Sequence, residues 1–311
     1  MLIDKDQVMS LLCCPASGQE MSLLKDRLVV NKNGIQIEYD VVDGFPILVD
    51  FEKSILNREE TLSMKSVIDR GSYTGLKKKL KEIVSPPKKS TKSNIECVLK
   101  LLFEKETKPN VLIVGGGTIG QGMEPFYDDP EIRLVSFDIY PSQSVQFVAD
   151  AHCIPFHEKT FDAVIIQAVL EHVINPQRVV SEIHRILKDE AFVYAETPFM
   201  QHVHEGAYDF SRFTESGHRY LFKQFDLIRS GASAGSGTQL LWALDNFFRG
   251  LFRSKKVGKL VKLLFFWLIY CDSLVPVSYN IDSASGVYFL GKKVDKELCI
   301  KEIVNHYQGA Q

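Results

Sequence analysis

Two periodicities alternate along the middle of the chain. Val111-Leu-Ile-Val114, Leu134-Val-Ser-Phe137, Phe161-Asp-Ala-Val-Ile-Ile166 and Ala191-Phe-Val-Tyr194 are short apolar runs of strand length. Between the last two, Val179, Ile183, Ile186 and Leu187 recur at helical spacing, with a stop near Lys188-Asp189. Strands alternating with helices predict an α/β fold, a parallel sheet covered by helices on both faces, with ligands gathered at the carboxyl ends of the strands. Before this region, residues 1–52 read as a small β-rich module punctuated by turns at Ser17-Gly18, Asn31 to Gly34 and Asp43-Gly44. Residues 53–109 turn helical and basic, with Lys77, Lys78, Lys79, Lys81, Lys88, Lys89 and Lys92 around Pro86-Pro87, and read as a linker. The remainder, 110–311, reads as one large domain. It carries two apolar helical stretches, Leu240 to Phe252 and Val257 to Tyr270, as an insertion at about 238–275. Gly286-Val-Tyr-Phe-Leu-Gly291 then returns the chain to the sheet as a strand.

The 311 residues are 45% hydrophobic and 24% charged, with a formal net charge of -2, which is the composition of a globular protein and not of a disordered or collagen-like one. That balance leaves no global excess of Lys and Arg to exchange for counterions, so no nucleic-acid partner is expected. The cysteines (Cys13, Cys14, Cys97, Cys153, Cys271, Cys299) are scattered and no secretory leader opens the sequence, which predicts a cytoplasmic setting. No apolar run approaches the ~20 residues needed to span a bilayer.

Candidate chemistry begins where the first strand feeds Gly115-Gly-Gly117-Thr-Ile-Gly120. Glycines at such a turn permit positive φ and let the backbone approach a ligand. The next strand ends in Asp138, where a carboxylate can accept hydrogen bonds from both hydroxyls of a ribose. Gly115-x-Gly117-x-x-Gly120 followed by Asp138 also fits a dinucleotide fingerprint, so an NAD-dependent oxidoreductase stands as a rival.

The downstream blocks separate these ligands. Val148-Ala-Asp150-Ala151-His-Cys-Ile-Pro155-Phe156, Phe161-Asp162 through Gln167-Ala-Val-Leu170-Glu171-His172-Val173, and Val180-Ser-Glu182-Ile-His-Arg185-Ile-Leu187-Lys188 resemble successive motifs of class I S-adenosylmethionine-dependent methyltransferases. The resemblance covers about Val111 to Tyr194. It implies a Rossmann-like methyltransferase sheet, S-adenosylmethionine as cofactor, and specific roles. Asp138 would hold the ribose, Asp150 and Ala151 the adenine, the Gly115 to Gly117 loop the methionine moiety, and Gln167 would offer strand-end backbone contacts. Two positions depart from the pattern. Ile113 stands where an acidic residue usually holds the cofactor's amino group, and Ile119 takes the place of the third glycine. A catalytically silent binding or regulatory protein on the same fold is therefore the second expectation. His172 falls in a block that such proteins carry for many substrates, which points to cofactor-site architecture more than to proton chemistry.

The segment Glu196 to Thr214 follows the fourth strand and lies where loop residues carry function. Its wording is similar to a methyltransferase subgroup of bacterial surface polysaccharide synthesis, which implies an oxygen of a saccharide or lipid-linked glycan as methyl acceptor. Transfer to oxygen calls for a base, and His202, His204 and Asp209 are the candidates. Arg212 and Tyr208 are candidates for binding the substrate. His202-Val-His204 also invites a metal, but two ligands are too few and no third is evident, so no metal is expected.

The opening module resembles a small zinc-ribbon-like domain through Leu12-Cys-Cys14-Pro15 and Tyr39-Asp-Val-Val-Asp43-Gly44-Phe-Pro46, in degenerate form. Ser17 occupies the second ligand position, and no zinc is expected. At the other end, the 240–271 hairpin pairs an apolar aromatic stripe with Arg253, Lys255, Lys256, Lys259 and Lys262. Core packing, a homodimer contact, or a peripheral seat on an anionic membrane at its inner face each suits that pattern.

Overall fold

The computed structural model describes residues 1–25, 27–32, 34–64 and 86–311. Eleven strands among these residues form one sheet: β1 Ser22–Leu24, β2 Arg27–Lys32, β3 Ile35–Val42, β4 Phe45–Leu48, β5 Asn110–Val114, β6 Arg133–Asp138, β7 Phe147–Ala149, β8 Phe161–Gln167, β9 Leu187–Pro198, β10 Phe225–Ala234 and β11 Gly286–Lys293. Their spatial order is β1-β2-β3-β4-β7-β6-β5-β8-β9-β11-β10. From β4 to β9 every neighbouring pair is parallel, and β11 runs antiparallel between β9 and β10.

The centre of the sheet shows why the apolar runs have to be strands. Side chains alternate faces along β5, so Leu112 and Val114 enter one core while Val111 and Ile113 enter another on the opposite face. The helix Pro176–Ile186 covers the first face with Val179, Val180, Ile183 and Ile186. The helix Lys89–Lys105 covers the second with Ile95, Val98 and Leu102. Each fully buried aliphatic side chain in these layers contributes about 1.5–3 kcal/mol.

Three expectations change at this level. The first 52 residues do not stand apart, because β4 pairs with β7 (Ile47 with Val148, Leu48 with Ala149) and continues the central sheet. The supposed linker ends as Lys89–Lys105, a cover of the sheet; Lys77, Lys78, Lys79 and Lys81 lie outside the described residues, as does Asn33 of the predicted turn. The helix expected to stop near Lys188-Asp189 ends at Ile186, because Leu187 already pairs with Phe161 and opens β9.

The hairpin consists of helices Ser236–Leu251 and Lys255–Phe265 with a short turn of helix at Leu268–Cys271. Asp272 caps the first helix, accepting from the backbone N–H groups of Gly235, Gly237 and Thr238 at 2.9, 2.7 and 3.0 Å. Asp245 is fully buried between Arg249 and Lys262, at 2.8 and 3.0 Å. No helix among the described residues is long and apolar enough to cross a membrane.

Candidate active site

A cleft of about 660 Å³ runs along the carboxyl ends of the parallel strands. Gly115, at φ +78°, turns the chain out of β5, and a Cβ there would come within 2.2 Å of Val169. Only glycine fits both demands. The loop is tied to the next strand: Gly117 N–H donates to Asp138 Oδ2 at 2.7 Å, and Ile139 N–H donates to Asp138 Oδ1 at 2.7 Å. Asp138 lines the cleft with Gly115, Asp150, Ala151 and Gln167; Gly117 does not. Asp150 Oδ1 accepts from the backbone and ring of His152 at 2.9 and 2.6 Å, and Ser54 Oγ donates to its other oxygen. Burial would raise the Asp150 pKa, but these donors outweigh it and the carboxyl sits below its ordinary value.

Beside Gln167 the cleft has a buried carboxylate that the sequence reading did not single out. Glu196 Oε2 lies 3.3 Å from Lys88 and accepts from Gln167 Nε2 at 3.2 Å; Thr91 and Tyr194 donate to Oε1. Burial opposes its ionisation, yet the Lys88 charge and the hydrogen bonds lower its pKa. Between Gln167 and the next block, Ala168 adopts φ +55°, a left-handed conformation uncommon outside glycine and of the kind that collects at functional sites.

The other end of the cleft is built where the loops after β8 and β9 lie side by side. The Glu171 carbonyl accepts from Phe210 and Ser211 N–H at 2.7 and 3.2 Å, which pins the second loop onto the first. Glu171, His172, His204 and Tyr208 thereby share one wall. The His172 and His204 rings meet edge to face at 4.9 Å. Burial pushes the Glu171 carboxyl up to about 8. Burial first, then the neighbouring His172, lowers the pKa of His204.

The remaining predicted residues have other work. Asp209 lies 3.2 Å from His204 Nδ1 and accepts from His204 N–H at 2.9 Å, so it orients that histidine. Burial opposes its charge, but hydrogen bonds from Arg212 and His204 hold it at about 2. Arg212 binds both oxygens of Asp209 and the carbonyls of Gln201, His202 and Ser211, which makes it a brace of the loop. Residues 201–204 form no strand, and His202 does not line the cleft with His204; burial and then Arg249 lower its pKa.

Residues 114–195 match a family model described as a methyltransferase domain. No curated protein matches the sequence. Among solved structures, the fold is similar to a candidate sarcosine dimethylglycine methyltransferase from Galdieria sulphuraria, with 14% identity and a TM-score of 0.45 over 67% of this chain and 86% of that one. It is similar also to phosphoethanolamine N-methyltransferase 2 from Haemonchus contortus in complex with S-adenosyl-L-methionine, with 16% identity and a TM-score of 0.40 over 65% and 52%. Residues 114–195 thus match a methyltransferase domain, and the cofactor that this match indicates is S-adenosylmethionine.

The residues present fit it. The glycine turn leaves backbone exposed to the cleft, and both carboxylates expected to meet the nucleoside line it. A carboxylate offers about four lone-pair directions, and Asp150 Oδ2 uses one of its two on Ser54. The remaining direction is what an exocyclic amine would take.

Proposed function

We propose that the protein transfers the methyl group of S-adenosylmethionine to an oxygen of a saccharide or lipid-linked saccharide. The observation that carries the reading is the shared cleft: Asp138 and Asp150 line it with the polar wall of Glu171, His172, His204 and Tyr208, so cofactor and acceptor sides face one space. His204, with Nδ1 3.2 Å from Asp209, turns its other ring nitrogen to the acceptor hydroxyl and takes its proton.

The apolar outer face of the hairpin, with Phe247 61% and Leu264 59% exposed, sits beside Arg253, Lys255, Lys256 and Lys259. This combination suits an anionic membrane surface, where a lipid-linked acceptor would be presented.

Calorimetry with S-adenosylmethionine, S-adenosylhomocysteine and NAD tests the cofactor. The first two should bind and NAD should not. Asp138→Ala and Asp150→Ala should each weaken binding by about 1–3 kcal/mol, roughly 5- to 150-fold, through lost hydrogen bonds. Unchanged affinity in both variants removes the site. Binding without methyl transfer to any lipid-linked or free saccharide fraction would favour the silent protein.

A further inference from the structure

We propose that Glu171, His172 and His204 form a binding site for a divalent first-row transition-metal ion at the acceptor end of the cleft. One ligand atom from each of the three lies within 4.8 Å of the others, and His172 Nε2 is 3.7 Å from Glu171 Oε1. Ligands about 2.1 Å from a tetrahedral metal are ~3.4 Å apart, so modest side-chain rotations close the set.

Two independent features point to a cation. The first is the orientation of the histidines. His172 Nδ1 is 2.7 Å from the Tyr208 carbonyl and His204 Nδ1 is 3.2 Å from Asp209. The Tyr208 carbonyl takes the His172 Nδ1 proton and the Asp209 carboxylate faces Nδ1 of His204, which favours Nε2 as the lone pair on each ring, the arrangement by which metal-binding imidazoles are held. The second is Glu171 itself. It is fully buried, and neither carboxylate oxygen has a hydrogen-bond partner. Buried polar atoms are nearly always satisfied, and an unmet carboxylate beside two imidazole lone pairs is what a cation would satisfy.

The donor set chooses among ions. Two imidazoles and one carboxylate suit zinc, iron, manganese or cobalt better than calcium or magnesium, which prefer oxygen. Three protein ligands leave coordination positions facing the cleft, as in catalytic sites and unlike closed structural ones.

What the ion would do there rests on the methyl-transfer reading. It would take the acceptor hydroxyl as a further ligand and make it more acidic. The hydroxyl proton then leaves to water, the O–C bond forms as the S–C bond breaks, and S-adenosylhomocysteine is released. In this form His204 is a ligand, and the charge of the ion does the work of the base.

The test is calorimetric titration of chelator-treated protein with ZnCl2 and, separately, MnCl2, with S-adenosylmethionine titrated in parallel. The expected result is one site per chain for at least one ion. Glu171→Gln and His204→Ala should each weaken that site 100-fold or more while S-adenosylmethionine affinity stays within about twofold, which also shows that each variant folds. Electron paramagnetic resonance of bound Mn2+ gives the stoichiometry in the wild type without any variant. No binding of either ion at millimolar concentration, or wild-type ion affinity in both variants, overturns the proposal. Ion binding without S-adenosylmethionine binding leaves the metal site standing and removes the methyl-transfer reading.

Discussion

At the scale of single residues, the cofactor half of the cleft was the more legible in sequence. Gly115 and Asp138 follow predicted strands, so strand prediction already places them on one edge; Asp150 and Ala151 follow β7, a strand of three residues that periodicity does not predict, and only the family resemblance places them there. The acceptor half was not. Glu171 and His204 are 33 residues apart, and only the adjacency of β8 and β9 makes neighbours of them. Knowing that two parallel strands are adjacent would have been enough to pair their trailing loops.

His218 shows the same blindness in a buried group. It is 1% exposed, its ring nitrogens have no hydrogen-bond partner, and Phe222 stands edge-on at 5.1 Å. Burial lowers its pKa to about 3, whereas an unfolded histidine titrates near 6.5. Between these values the unfolded chain binds a proton that the native one does not, so stability must fall as pH falls through that window. The slope from this residue alone is roughly 1 kcal/mol per pH unit. Denaturant unfolding at pH 7, 6 and 5 should show the wild type losing stability faster than His218→Leu. Parallel pH profiles would contradict the assignment.

At the scale of elements, periodicity identified the strands and missed their company. Nothing in the turn-rich text of residues 1–52 says that Ile47 and Leu48 extend a sheet whose next strand comes a hundred residues later. Pairing β4 with β7 buries Ile47 to 1% exposure and makes it part of a core with Val49 and Val148. Ile47→Ala should therefore cost about 2–4 kcal/mol. Because the strand continues the sheet, fluorescence and circular dichroism should report one coincident transition in both proteins. An early, separate transition in the variant would show that the N-terminal strands fold as their own unit.

At the scale of the whole molecule, a net charge of -2 conceals local basic density. The turn after helix Ser236–Leu251 and the first turns of Lys255–Phe265 carry Arg253, Lys255, Lys256 and Lys259, while Asp245 is buried inside and engaged by Arg249 and Lys262. The outward charge of this corner is positive, and Phe247, Phe252, Leu260, Leu263, Leu264 and Trp267 are half or more exposed around it. Exposed apolar groups alone would serve a membrane or a second copy of the chain equally well; the lysines favour anionic lipid, at about 1 kcal/mol for each cation near the surface. Vesicle flotation separates the two. The protein should float with phosphatidylserine-containing vesicles, much less with phosphatidylcholine alone, and less in 0.5 M salt, where exposed charges are screened. Lys255→Glu, Lys256→Glu and Lys259→Glu together should weaken binding 100-fold or more, and Leu264→Ser should reduce it without altering S-adenosylmethionine affinity. If the wild type ignores both vesicles and sediments as a dimer that Leu264→Ser dissociates, the hairpin is instead a contact between copies.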